Sequence, residues 1–154
     1  MKIVLFIIIS ILLLPSIYSQ DRLNIVLTVD DVIPYSLENS NLVLENDTIQ
    51  LQYKMGRFLV TETDLVKLKS AGKLKEVSLN INYTTFCPVQ EHYTYSIYLK
   101  SDLLLQDYFL LKIYNYSSYP KVFGKKAGYI FGYESPLGFI GLPSKNKMKR
   151  NPCN

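Results

Sequence analysis

The chain of 154 residues contains no tryptophan, a single histidine, two cysteines and seven glycines. Each scarcity removes a class of chemistry. One histidine, His92, leaves histidine-based catalysis hanging on a single side chain, and with Cys87 and Cys153 it offers at most three ligands, one short of a structural zinc site. Few glycines argue against phosphate-cradling loops, and no dinucleotide fingerprint, phosphate loop or G-x-S-x-G elbow is present. Nothing in the residues implies a cofactor or a resident metal. Missing tryptophan counts against the broad stacking platforms that sugar-binding modules often use, although thirteen tyrosines could substitute.

Positive charge is also scarce where a nucleic-acid-binding face would need it. The formal net charge is +4. Once Lys2 and the tail cations Lys145, Lys147, Lys149 and Arg150 are set aside, twelve Lys and Arg remain against thirteen acids. The body is near neutral, which argues against nucleic acid as a partner. The basic tail (residues 144–154) reads as a solvated terminus, with weak Coulomb contact to anionic surfaces as its functional alternative.

Only one long apolar run exists. Met1 and Lys2 precede "IVLFIIISILLL", Pro15 breaks the run, and Ile17 and Ser19 suit the −3 and −1 positions of a secretory cleavage site. Residues 1–19 therefore read as a signal peptide with cleavage near Ser19–Gln20. About a dozen apolar residues fall short of the ~30 Å of a bilayer core. An uncleaved membrane anchor is the rival reading. The expected mature protein is secreted or periplasmic, with residues 20–143 forming one domain.

What recurs in that domain is period-2 alternation, the mark of strands with one buried face. Leu23, Ile25, Leu27 and Val29 share a face, as do Val77, Leu79, Ile81 and Tyr83, and Tyr93, Tyr95, Ile97 and Leu99. "DYFLLKIYNY" is apolar on both faces, as a covered central strand should be. Asn46-Asp47 is expected to be a two-residue hairpin loop placing Leu42 opposite Leu51 and Leu44 opposite Ile49. Thr61, with Asp64 three residues on, caps one short helix ending near Gly72. Gly132 suggests a bulge in a late strand. Seven or eight strands and one connecting helix predict an all-β, mainly antiparallel β-sandwich. Its general build is immunoglobulin-like or transthyretin-like, a likeness of architecture that carries no functional residues.

Candidate sites follow from this frame. Cys87 and Cys153 form an even pair in an exported chain and are expected to bridge, closing a loop of more than sixty residues. Such a bridge contributes roughly 4 kcal/mol through unfolded-state entropy. A Cys87–His92 dyad is disfavoured because His92 falls on the polar face of its strand. Asp30 and Asp31 read as a solvated turn after the first long strand, with a calcium site as the minor alternative. Tyr116, Tyr119 and Phe123 are the candidate binding residues at a loop end, packing against the sandwich being their plainer role. The leading functional expectation is a small exported non-catalytic binding or structural module whose partner is a protein or envelope component. A membrane-associated accessory protein, or a secreted hydrolase using His92 with Glu91, are the alternatives.

The export reading predicts an intact mass that begins at Gln20 for protein recovered from outside the cytoplasm, rising by two hydrogens on reduction. A full-length mass confined to the membrane fraction would replace it with the anchored reading.

Overall fold

A computed structural model of the chain describes residues 20–45, 47–54, 56–71, 75–86, 90–124 and 126–142. Residues 1–19, expected from the sequence to be a signal peptide, lie outside the described residues, as do both cysteines, the basic tail, Asn46 and Gly72.

The strands are β1 (Gln20–Leu23), β2 (Ile25–Val29), β3 (Asn39–Val43), β4 (Thr48–Gln50), β5 (Gln52–Lys54), β6 (Arg57–Thr61), β7 (Glu76–Phe86), β8 (Gln90–Lys100), β9 (Phe109–Asn115), β10 (Tyr129–Ser135) and β11 (Gly138–Ile140). Helix α1 (Glu62–Ser70) follows β6, and a four-residue helical turn α2 (Pro120–Phe123) follows β9. The fold is the expected all-β, mainly antiparallel sandwich. Three sheets are ordered β1-β6-β5, β11-β10-β9-β2 and β4-β3-β7-β8. More strands appear than the sequence predicts, partly because two expected strands are each divided where the chain changes sheets and partly because the short β11 adds one. Asn24 alone separates β1 from β2, and Leu51 alone separates β4 from β5. Each pair is one extended segment bent at a corner of the sandwich.

Alternation builds the core directly. Leu27, Leu42, Ile49, Leu79, Ile81, Ile97, Leu111 and Ile113 are fully buried in one cluster. β9 is a central strand between β10 and β2, fully buried on its inner face and only partly covered on the other. β2 runs parallel to it, with Ile25 opposite Phe109 and Val29 opposite Ile113. This is the only parallel pairing among the described strands.

Two local expectations shift. The hairpin pairs Leu42 with Ile49 and Val43 with Thr48, and the Leu44 amide donates to the Asp47 carbonyl at 2.8 Å. The reversal therefore sits one residue earlier than expected. Moving a turn by one residue changes the pairing by two, so the apolar residues keep their common face. Helix α1 starts as expected, with the Asp64 amide donating to the Thr61 hydroxyl at 3.1 Å. Lys67 then pairs with both Asp64 (3.0 Å) and Asp47 (3.1 Å).

The larger correction concerns Asp30, which is not solvated. It is 5% exposed. Val29 and Val32 exchange both backbone hydrogen bonds, and Asp30 and Asp31 have φ of 51° and 65°. Two left-handed residues between paired valines make a tight primed turn, a conformation that favours Gly and Asn and that Asp tolerates better than most residues. The Asp30 carboxylate accepts from the Asn115 amide (2.9 Å), the Asn115 Nδ2 (3.0 Å) and the Ser118 hydroxyl (2.6 Å). Asn115 Oδ1 in turn accepts from the Tyr95 hydroxyl of β8 at 3.0 Å. The end of β2, the end of β9 and the facing sheet are joined through one buried carboxylate.

Replacing Asp30 by Ala leaves three buried or half-buried donors without their acceptor. The expected cost is about 3 kcal/mol, or a fall of roughly 10 °C in thermal midpoint. The exposed Asp107→Ala control should stay within about 0.5 kcal/mol of wild type. Equal midpoints for the two variants in a thermal melt would refute the structural role given to the carboxylate.

Candidate functional site

The outer face of the β11-β10-β9-β2 sheet is set by the same alternation that buries its inner face. Inward-facing Leu111, Ile113, Phe131 and Tyr133 leave Lys112, Tyr114, Gly132 and Glu134 on the outside, with Lys112 directly opposite Gly132. Here the glycine is a floor and not a bulge, since pairing runs unbroken from Tyr129 to Glu134. The chain after β11 folds closely over it. A Cβ at position 132 would lie 2.5 Å from the Ile140 carbonyl oxygen and 2.7 Å from Leu142 Cγ. Any larger residue would force that segment away.

The result is a cleft of 490 Å³ with Tyr108, Lys112, Tyr114, Glu134, Phe139 and Leu142 among its walls. Its size falls in the range of small-ligand sites, about 300–1,000 Å³. Phe139 is 77% exposed at the rim, an apolar ring that makes little contact with its own chain. Lys112 is half-buried in the wall, and no ion pair among the described residues involves it. Glu134 lies at the exposed edge. The Tyr114 hydroxyl donates to Asp31 at 2.6 Å, and burial together with that carboxylate holds its pKa well above the ordinary tyrosine value. Tyr114 is therefore a neutral donor already committed to Asp31. An apolar ledge beside a lysine that makes no ion pair among the described residues is the chemistry this cleft offers.

The residues expected from the sequence are arranged differently. Tyr119 is buried and meets Tyr114 edge-on, ring centres 5.2 Å apart. Tyr116 leans on Phe123 with centres 4.4 Å apart, both half-buried. These three aromatic rings close the turn beyond β9, and they do not line the cleft. Sequence reasoning passed over Lys112 and Phe139, and took Gly132 for a bulge and not for part of a site. The one signal that could have marked them was a lone lysine and a glycine on neighbouring apolar strands.

His92 is 62% exposed on β8. Its Nδ1 lies 2.6 Å from the Thr84 hydroxyl and 3.2 Å from Glu38, while its Nε2 meets Gln90 at 3.1 Å. Thr84 also donates to Glu38. In a nucleophile–histidine–acid relay the hydroxyl and the carboxylate hold opposite ring nitrogens. Here both share Nδ1. Thr84 first, and His92 after it, hold the Glu38 carboxyl below its usual range. Glu91, the carboxylate proposed beside His92, accepts instead from the Tyr93 hydroxyl. Among the described residues no group of three or more His, Cys, Asp and Glu side chains is placed to hold a metal ion.

Compared with family models, curated proteins and solved structures, the chain matches none.

Burial of tyrosine makes a pH prediction. Tyr53 and Tyr93 are pushed up to about 12, chiefly by burial, and Tyr95 and Tyr114 are raised further. A raised folded-state pKa contributes stability that is whole below the unfolded value of about 10 and is lost as pH rises through the folded value. Stability to urea should therefore decline from about pH 10 upward. In an ultraviolet phenolate titration, these four rings should ionise last. Ionisation of these four near pH 10, in protein still folded by circular dichroism, would contradict the burial described.

Proposed function

We propose that the chain is a small exported binding module without catalytic activity, and that the cleft over Gly132 is its binding element. The observation that carries this reading is the cleft itself. It joins exposed apolar walls to Lys112, a half-buried cation without an ion-pair partner among the described residues. Its ligand is an apolar or aromatic group bearing a negative charge. The apolar body would cover Phe139 and Leu142, and the anion would meet Lys112. Removal of the rim ring from water supplies the main driving force, roughly 25 cal/mol per Å² of apolar surface buried. The ion contact fixes orientation. Export rests on the N-terminal sequence. The shared-nitrogen geometry around His92 favours binding over hydrolysis.

The probe for this reading is 1-anilinonaphthalene-8-sulfonate, an aromatic anion, titrated under native conditions. We expect saturable binding near one site per chain, weakened at least fivefold by Phe139→Ala and again by Lys112→Glu. Gly132→Val should also weaken it, by forcing the Ile140–Leu142 segment, part of the cleft wall, away from its place. Phe139→Ala carries the test even where Gly132→Val does not fold, because Phe139 is exposed and its truncation leaves the core untouched. Unchanged binding in Phe139→Ala and Lys112→Glu, or binding lost only when Lys54 and Arg57 are reversed, would overturn the assignment.

A further inference from the structure

One end of the sandwich carries apolar side chains that the core does not use. The tight turn at Asp30–Asp31 leads into Val32, Ile33, Pro34 and Tyr35, and Tyr35 is 82% exposed with Ile33 at 54%. This loop is held in place and is not a loose strap. The Tyr53 hydroxyl donates to the Pro34 carbonyl at 3.0 Å. Ile33 also lies over the turn between β5 and β6, where Gly56 has φ of 81° and a Cβ would come within 3.0 Å of Ile33 Cγ2. Farther along the same loop, Leu37 shares a shallow depression with Phe86, another exposed ring at the end of β7.

Beside Ile33 the β5–β6 turn presents two cations. Lys54 and Arg57 are directly opposite each other in the register, and both are exposed. Like charges at facing positions repel, and no ion pair among the described residues involves either. The acids at either end of the Val32–Leu37 loop accept hydrogen bonds elsewhere: Asp31 from Tyr114, and Glu38 from Thr84. The tip therefore joins outward aliphatic and aromatic side chains to a repelling cation pair that an external anion would relieve.

We propose that this end of the sandwich docks on an anionic lipid surface. Ile33 and Tyr35 enter the interfacial region, where a tyrosine ring is favoured, and Lys54 and Arg57 meet the headgroups. An acidic protein would satisfy the cations. It would not account as well for apolar side chains standing outward on a loop tip, where a lipid interface accepts them without a shaped partner. This inference is independent of the cleft, which involves none of these residues.

The absence of tryptophan makes the test clean. In full-length Tyr35→Trp protein the indole at position 35 is the only one, and an 82% exposed position tolerates the exchange. Its emission should shift to the blue with vesicles of phosphatidylcholine and phosphatidylglycerol, but not with phosphatidylcholine alone. High salt should reverse the shift, because it screens exposed charge. Adding Lys54→Glu and Arg57→Glu should weaken partitioning by on the order of tenfold or more, although that protein keeps its N-terminal apolar run and basic tail. No shift with either vesicle, an equal shift with both, or a shift unaffected by the charge reversal would each overturn the proposal. A response to poly-glutamate in place of vesicles would reassign the tip to an acidic protein.

Discussion

The buried carboxylate of Asp30 is the constraint on which the rest of the fold depends. A charge at 5% exposure is costly unless donors converge on it, and here the Asn115 amide, the Asn115 side chain and the Ser118 hydroxyl do so. A carboxylate suits this place because it only accepts. An asparagine would turn an NH₂ group toward at least one of the same donors. The bonds also offset the cost of two consecutive left-handed non-glycine residues. β2 and β9 are parallel and more than seventy residues apart in sequence, so no hairpin aligns them. The carboxylate pins their register, and Asn115 passes that restraint to Tyr95 on the opposite sheet.

The sandwich closes by side chains where backbone pairing stops. Between β8 and β10 no ladder forms, and the Tyr129 hydroxyl instead accepts from the Ser96 amide and donates to the Ser96 carbonyl. Tyr129 also meets Tyr95 edge-on at 5.0 Å. One phenol thus occupies two backbone groups on the outer edge of an eleven-residue strand, where another chain could otherwise add. The abundance of tyrosine has a structural reason here, because each ring buries its body while its hydroxyl completes a polar contact.

The strand faces were legible because burial and period-2 alternation are the same fact seen from two sides. Leu79, Ile81, Ile97 and Leu111 could be assigned inward from their neighbours alone. The hairpin at Leu44–Asp47 shows the limit of that signal. Alternation fixes a residue's face but is blind to shifts of two in the pairing, so it could not locate the turn. The Asp30–Asp31 turn was misread for a different reason. Two adjacent acids look hydrated, and their partners Asn115 and Ser118 lie some eighty-five residues away. Corner bends at Asn24 and Leu51 leave no local mark either, since an extended chain that changes sheets keeps its alternation. The cleft was least visible, because the strand bearing Lys112 reads as apolar on both faces and nothing local shows Leu142 folding over Gly132.

The two surfaces with unspent apolar area meet at the same turn. Asp31 accepts from Tyr114, which lines the cleft, while the next residues, Val32 and Ile33, begin the exposed tip. Asp30, one residue earlier, is the anchor of the core. A turn with both φ angles left-handed and three hydrogen bonds on one carboxylate has little freedom to deform. That rigidity serves recognition, since a preformed tip and a preformed cleft wall lose less conformational freedom on contact than loose loops do. It also makes the surfaces mechanically adjacent: any ligand that drew the Tyr114 phenol away from Asp31 would pull on the root of the Ile33–Tyr35 loop.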